Sequence, residues 1–366
     1  MRILMIIDGL PGGGAEKVVL TLCKEMRQRG HWISLLSLRN ICHYTLPKEV
    51  QYQELKPSTY PFSWKNFTTR SRFAYALNQF ISLNEKKDGK YDLIFSHLYN
   101  TDRIVSSSHI CSDNIWFCVH GMLSTAFLGH RHGLDRWIKK QQITQLYSNK
   151  NIISVSQSVA EDLIFNLSVT PRRLSIINNP FHINNILTKA NEEYKIPSSP
   201  YLIHVGRFHP HKRHDRLLFA YAESNIPAPL VLVGSGQIQY INEIKRLVDK
   251  LNLVERVVFT GFHQNPYPLI KNAKMLILSS DSEGFGNVLI EALLCETPVV
   301  STRCPGGPTE ILEKVGMDHM LTALNSHALA EKMQEVYFAP PAPVDKKKLM
   351  IYDATVIGQQ YLNLAM

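Results

Sequence analysis

Short runs of branched apolar residues alternate with longer amphipathic stretches, and the chain goes through this alternation twice. In the first half RILMII, HWISLLSL, YDLIFS, NIWFCVH and NIISVS have the continuous apolar character of strands buried on both faces. Between them lie stretches of helical length, AEKVVLTLCKEMRQRG, TTRSRFAYALNQFISLNEKK and DRWIKKQQITQLYS. In the first of these Val18, Val19, Leu22 and Met26 recur on one helical face, and Gly30 ends the helix. Strands separated by helices pair in parallel βαβ units. The pattern breaks at SIINNPFHINN, residues 175–185, where Asn-Asn-Pro interrupts it. It restarts after the polar stretch LTKANEEYKIPSSP with YLIHVGRF, PLVLVGSG, RVVFTGF, KMLILSS and TPVVST, most of them followed by a helical pattern. The 366 residues are too many for one ordinary core. The expectation is an α/β protein of two Rossmann-like domains, 1–178 and 179–345, with residues 346–366 a terminal helix able to pack back on the first.

No apolar run approaches the ~20 residues needed to span a bilayer. The opening MRILMIID stops at an aspartate, where a signal peptide would continue into a longer apolar core, so it reads as a first buried strand. Cys23, Cys42, Cys111, Cys118, Cys295 and Cys304 form no CxxC pair and read as small core residues of a reduced, cytosolic protein. The net charge of +9 lies wholly in the first half: residues 1–180 hold 22 Lys and Arg against 13 Asp and Glu, and the remainder holds 18 of each. A basic face suits lipid headgroups, nucleic acid or phosphate-bearing substrates, or serves solubility alone.

Ligands of open parallel sheets bind beyond the carboxyl ends of the strands, and the unusual residues fall there. After the first strand comes DGLPGGGAEK, three glycines ahead of a helix that starts near Ala15. Glycines let a ligand approach the backbone, and a helix start offers N–H groups to an anion; a plain turn is the other reading. The segment fits neither G-x-G-x-x-G nor a P-loop. In HVGRFHPHKRHD, Arg207 and Lys212 follow a strand end and could clamp a diphosphate. The nearby His209, His211 and His214 have poor spacing for a metal, and His204 lies in the strand as a core residue. In SDSEGFGN the carboxylate of Glu283 suits a vicinal diol, and Gly284 and Gly286 expose backbone amides. Glu291 sits eight positions on, about one turn into the next helix. A helix-dipole role explains Glu291 alone, not Glu283 with both glycines and the upstream cations.

These residues closely resemble retaining nucleotide-sugar glycosyltransferases of family 4, whose two Rossmann-like domains face one another across a cleft, the GT-B architecture. The segments that carry the resemblance are GGGAE at 12–16, VGRF with Lys212, EGFGNVLIE at 283–291 as the E-x7-E element, and TPVVST with PGGPTEIL at 297–312. It implies that Gly13 and Gly14 approach the donor from the first, acceptor-binding domain, and that Arg207 and Lys212 bind its diphosphate in the second, donor-binding domain. Glu283 would hold hydroxyls of the transferred sugar, Gly284, Phe285, Gly286 and Asn287 would add contacts, and Glu291 would bind the ribose. His120, in FCVHG, matches a cleft histidine of many relatives; from the residues alone it is equally a satisfied loop histidine. Gly234 and Gly236 shape a turn near the nucleotide or serve structure. With His120, Glu283, Arg207 and Lys212 as catalytic residues, the reaction implied is transfer of a hexose or N-acetylhexosamine from a nucleotide sugar, UDP being the commonest carrier, with retained configuration. No metal and no cofactor are expected, and no DxD-type pair is present.

The acceptor expected is a saccharide or lipid-linked saccharide of cell-surface polysaccharide or lipopolysaccharide synthesis. Residues 60–73, YPFSWKNFTTRSRF, and 127–140, FLGHRHGLDRWIKK, mix aromatic and basic side chains and suit an anionic membrane surface, which would put the protein at the inner face of the cell membrane. The alternative is aromatic core with a solvated charged face. Two other functions compete with this one. A nucleotide-sugar 2-epimerase shares the fold but would need no acceptor. A basic nucleic-acid-binding protein would need a recognised module, which is missing, so no nucleic-acid partner is expected.

Overall fold

A computed structural model describes residues 1–42, 44, 46, 50–56, 66–110, 113–194 and 200–365. The chain divides into two units, Met1–Phe181 with Ala354–Met366, and His182–Asp353.

In the first unit, β1 (Arg2–Ile7), β2 (Trp32–Ser37), β3 (Gln51–Glu54), β4 (Leu93–His97), β5 (Ile115–Val119), β6 (Asn151–Ser154) and β7 (Arg173–Ile176) form one parallel sheet in the order β3-β2-β1-β4-β5-β6-β7. The helices are α1 (Gly14–Gln28), α2 (Asn66–Asp88), α3 (Tyr99–Val105), α4 (Leu123–Leu128), α5 (Gly133–Tyr147) and α6 (Gln157–Glu161). The central strands are buried on both faces, which explains their unbroken apolar sequence. Val18, Val19, Leu22 and Met26 of α1 pack against Ile3, Met5 and Ile7 of β1 in the core. The edge strands β3 and β7 have no such signature. QYQE and RLSI are partly exposed along their length, so the apolar runs do not announce them.

In the second unit, β8 (Leu202–Val205), β9 (Leu230–Val233), β10 (Val257–Gly261), β11 (Met275–Leu278), β12 (Val299–Thr302) and β13 (Leu321–Thr322) form a parallel sheet in the order β10-β9-β8-β11-β12-β13. Its helices are α7 (Ile183–Ala190), α8 (His214–Ser224), α9 (Ile238–Lys250), α10 (Tyr267–Lys271), α11 (Asn287–Leu294), α12 (Gly307–Val315) and α13 (Ser326–Phe338). Both strand orders reverse once, between β1 and β4 and between β8 and β11. The crevice beyond such a reversal is where parallel sheets of this kind take ligands.

Two expectations need correction. The tail is not one helix. Lys346–Tyr352 is 3₁₀ and belongs to the second unit, and only from Ala354 does the chain join the first, as α14 (Ala354–Leu362). There it lies on α1, where Gly358 leaves room for Glu25: a Cβ at 358 would stand 2.8 Å from Glu25 Cγ. Arg29 ties the two helices, donating to Glu25 Oε1 and Gln359 Oε1 at 2.7 Å each and to the Thr355 carbonyl. The cysteines are not uniformly core. Cys23, Cys118, Cys295 and Cys304 are buried, but Cys42 is exposed in the loop after β2, where its thiol donates to the Tyr44 carbonyl at 3.3 Å. Cys111 lies outside the described residues.

Candidate active site

β8 and β11 are neighbours, and the loops that leave their carboxyl ends are joined at several points. The backbone N–H of Asp281 donates to the His211 carbonyl at 2.9 Å, and Ser279 Oγ donates to the Lys212 carbonyl at 2.8 Å. Arg216, buried in the first turn of α8, donates to the Ser279 carbonyl at 2.8 Å and to Asp281 Oδ1 at 2.6 Å. Arg213, in a left-handed conformation (φ 50°), bridges Asp215 and Asp281. Asp215, the stronger cause, and then Asp281 hold its guanidinium proton more tightly than usual. These contacts fix the positions from which Lys212 and Glu283 meet.

Lys212 Nζ donates to Glu283 Oε1 at 2.5 Å, and Ser280 Oγ donates to the same oxygen at 2.5 Å. The Glu283 side chain is 10 % exposed and that of Lys212 25 %, so this is a largely desolvated ion pair that opens to solvent on one side. The Lys212 stem lies along Gly206: a Cβ at 206 would stand 3.7 Å from Lys212 Cε. Beneath it His204 and His214 meet edge-on at 4.8 Å, with His214 stacked on Phe208. Burial holds the His204 imidazole down to about 4, and burial first, then His204 and Lys212, lowers that of His214 too. Glycines allow the neighbouring loops to close in. A Cβ on Gly306, at φ 120°, would stand 1.8 Å from the Glu283 carbonyl oxygen. A Cβ on Gly234 would stand 1.9 Å from that of Gly206.

At the corresponding end of the first sheet, Gly13 caps α1 without a side chain, and its carbonyl accepts from Tyr44 OH at 2.9 Å. Arg39 pairs with Asp8 beside this loop. His97 ends β4 and His120 follows β5; His97 Nδ1 and His120 Nε2 are 2.9 Å apart. Burial lowers both imidazoles, that of His120 to about 4, so the pair is neutral at pH 7 and shares one proton across the bond.

Of the residues expected from sequence, the structure unites Lys212 and Glu283 directly. Gly284 accepts from the Gly307 N–H at 3.2 Å, and Gly286, at φ 87°, turns the loop into α11 at Asn287. Phe285 is core, its ring edge-on to that of Tyr352 at 5.6 Å. Glu291 is buried one turn into α11. Arg207 is exposed beside Gly206, with no hydrogen bond or ion pair to a described residue. Gly13, Gly14 and His120 belong to the first unit and gather at its β1, β4 and β5 ends. Gly234 and Gly236 serve loop contact, the latter by a bridge to Phe208. Sequence reasoning missed His97, Ser280 and the Arg213–Asp215–Arg216–Asp281 network. The runs KRHDR and SSDSE carried the signal for the network, opposite charges at adjacent strand ends. His209, His211 and His214 are not a ligand set, since His214 turns into the core while the other two stack on each other. No group of three His, Cys, Asp or Glu among the described residues could hold a metal ion.

Comparison with known proteins agrees with this architecture. Residues 12–185 match the family described as Glycosyltransferase Family 4, and residues 188–349 match Glycosyl transferases group 1. Among curated proteins, a Campylobacter jejuni N-acetylgalactosamine-N,N'-diacetylbacillosaminyl-diphospho-undecaprenol 4-alpha-N-acetylgalactosaminyltransferase is 28% identical over 313 residues, 84% of this chain and 82% of that one. Among solved structures, sucrose-phosphate synthase from Thermosynechococcus elongatus has a TM-score of 0.79 at 19% identity, covering 100% of this chain and 98% of that one. Anabaena HepE in complex with UDP-glucose has a TM-score of 0.73 at 20% identity, covering 99% and 98%. With both units matched in order, the chain belongs to the group 1, family 4 glycosyltransferases, transferase enzymes of GT-B fold.

Proposed function

We propose that the protein transfers a hexose or N-acetylhexosamine from a UDP-sugar to a saccharide or lipid-linked saccharide acceptor, with retention of configuration, in cell-surface glycan synthesis. The observation that carries this is the Lys212–Glu283–Ser280 cluster at the strand-order reversal of the second sheet, ringed by glycine loops. In this reading the second unit holds the donor. Arg207 and Lys212 meet the diphosphate, Glu283 the hydroxyls of the sugar, Glu291 the ribose, and the Gly284–Asn287 backbone adds contacts. The sugar–phosphate bond breaks as the acceptor hydroxyl attacks on the same face, and the departing phosphate oxygen takes the hydroxyl proton. Negative charge grows on the leaving diphosphate, and cations placed there stabilise it where it develops. Neither metal nor cofactor has a part. HepE binds UDP-glucose, and the Campylobacter relative is named for an acceptor joined to undecaprenol through diphosphate; both support the reading.

The first unit takes the acceptor, with Gly13, Gly14 and His120 as its contribution to the reaction, and works at the inner face of the cell membrane. No described helix is long and apolar enough to cross a membrane. But Leu134, Trp137 and Ile138 of α5, spaced to share one face, are 70%, 58% and 42% exposed, with Arg136 and Lys140 alongside. Of the two sequence segments proposed for a membrane, only the second can be judged, because Tyr60 and residues 61–65 lie outside the described residues. Purified protein incubated with UDP-glucose, UDP-galactose and their N-acetyl counterparts and a lipid-diphosphate saccharide should release UDP with at least one. An α-linked product by NMR coupling supports retention. No release with any UDP-sugar contradicts the donor assignment, and failure to float with anionic vesicles at low salt contradicts the membrane assignment.

A further inference from the structure

A second polar cluster of the first unit takes no part in the donor chemistry above. It gathers where β4 and β5 end, the carboxyl edge at which His97 and His120 also lie. Leu98 leaves β4 at φ 76°, ψ 143°, a conformation that a residue with a Cβ rarely adopts and that marks functional turns. It sets Tyr99 at the start of α3, where its ring packs on Phe127 of α4 at 4.4 Å. Lys139 of α5 lies over both rings, 4.4 Å from the centre of Tyr99 and 4.6 Å from that of Phe127, and donates to Tyr99 OH at 2.8 Å. Arg103 lies over the same Tyr99 ring at 5.9 Å and has no hydrogen bond or ion pair from its guanidinium to a described residue. Arg131 completes the group, with Nε buried and without a partner.

The charges of this group are not balanced. Asp135 accepts both contacts of Arg131 Nη1, at 2.7 and 2.6 Å, and is itself exposed. The other carboxyl near by, Asp102, is buried under hydroxyl donors from Ser96 and Tyr147, and burial raises it to about 8, so it is largely neutral at pH 7. Burial first, then Arg103 and Arg131, brings the Lys139 ammonium down to about 8. Lys139 and Arg103 thus lie over one aromatic ring, Arg131 acts through its charge on Tyr99 and on Lys139, Arg70 adds its charge at Tyr99, and Asp135 is the charged carboxylate beside Arg131. A guanidinium without a partner and a lysine crowded by like charge are stabilised by an anion that bridges them.

We propose that Arg103, Arg131 and Lys139, set around Tyr99 and Phe127, bind the phosphate or diphosphate group of the acceptor. The inference rests on the reading that the first unit takes the acceptor, and adds that the acceptor is recognised by its anionic linkage as well as by its sugar. The same cations could instead hold the phosphate of a bilayer headgroup, so the test separates the two sources. Geranyl diphosphate serves as the probe, titrated into the full-length protein by calorimetry with UDP saturating the donor site, and geraniol serves as the uncharged control. The wild type should bind geranyl diphosphate and not geraniol. Arg103→Gln/Lys139→Gln should weaken it about tenfold or more, as expected when charge-assisted contacts are lost, and Lys139→Arg should retain it. The double variant should still float with phosphatidylglycerol vesicles and still be stabilised by UDP-sugar, which shows that the donor site and the fold are intact. Equal binding of geranyl diphosphate by wild type and double variant overturns the proposal. So does a double variant that loses only vesicle binding, which would assign the cluster to headgroups. Absence of any UDP-sugar effect in the wild type would count against the donor reading instead.

Discussion

Single side chains decide how the loop after β11 is held. Glu283 shares one oxygen between an ammonium and a hydroxyl, so Glu283→Gln keeps the shape while removing the charge that orients Lys212. Its transfer rate, measured as kcat/KM, should fall by about a hundredfold or more, with nucleoside diphosphate affinity much less affected. Equal loss of both would assign Glu283 to the phosphates. Gly306 is the second such residue, because its φ of 120° and the 1.8 Å approach to the Glu283 carbonyl exclude any Cβ without displacement of the loop. Gly306→Ala should cost on the order of 1–3 kcal/mol in denaturant unfolding and weaken donor binding with it; an unchanged midpoint would contradict the close approach. The sequence made Glu283 and Lys212 legible as a pair of strand-end charges. It did not show that they touch, since residues 71 positions apart meet only through strand order. His97 stayed hidden for the same reason: at the end of a buried apolar run it looks like core, and only the β4–β5 pairing brings it to His120.

Elements carry the pH dependence and the tail. His97 and His120, at the ends of β4 and β5, have imidazoles lowered by burial, so the unfolded chain binds their protons first. The contribution of His120 to stability is therefore complete above about 6.5 and is lost as pH falls toward about 4, and that of His97 is lost in the same direction. Asp102 works in the opposite direction. Its carboxyl is raised by burial to about 8, so its contribution is complete near 4 and is lost as pH rises through 8. Chemical denaturation across pH 4–9 should show a smaller acid-side slope in His120→Gln and a smaller alkaline-side slope in Asp102→Asn; parallel curves for all three proteins would refute both assignments. The junction of α14 with α1 depends on Arg29, which reaches three partners. Arg29→Ala should speed proteolytic removal of the chain beyond Asp353, read by mass spectrometry, and an unchanged cleavage rate would show that apolar packing of Ile357 and Tyr361 suffices. Central strands and most helices were legible because burial on both faces leaves an unbroken apolar run. Edge strands and the change from 3₁₀ to α-helix at Asp353 were not, since edges are half-solvated and the tail's course depends on a partner surface far away in sequence.

Over the whole molecule, two parallel sheets each reverse their strand order once, and polar loops collect at both reversals. The alternation of strand and helix disclosed the two units, and the glycine and acid spacing pointed to the strand ends proposed here to hold the donor. What stayed closed to the sequence is the charge pairing that holds those ends, because Arg213, Arg216, Asp215 and Asp281 are ordinary surface types until the fold sets them side by side. The excess positive charge of residues 1–180 is consistent with an anionic acceptor or membrane at the first unit and a donor at the second. The central claim is that the Lys212–Glu283 end of the second sheet grips a nucleotide sugar. A thermal-shift panel of UDP-, GDP- and ADP-sugars on the full-length protein tests it most directly. At about 100 times its dissociation constant a bound sugar nucleotide adds ~2.7 kcal/mol, an upward shift on the order of 5–10 °C. That shift with a UDP-sugar, abolished in Lys212→Ala/Glu283→Ala, is the result predicted; no shift with any of the three classes, or an equal shift in the double variant, would contradict it.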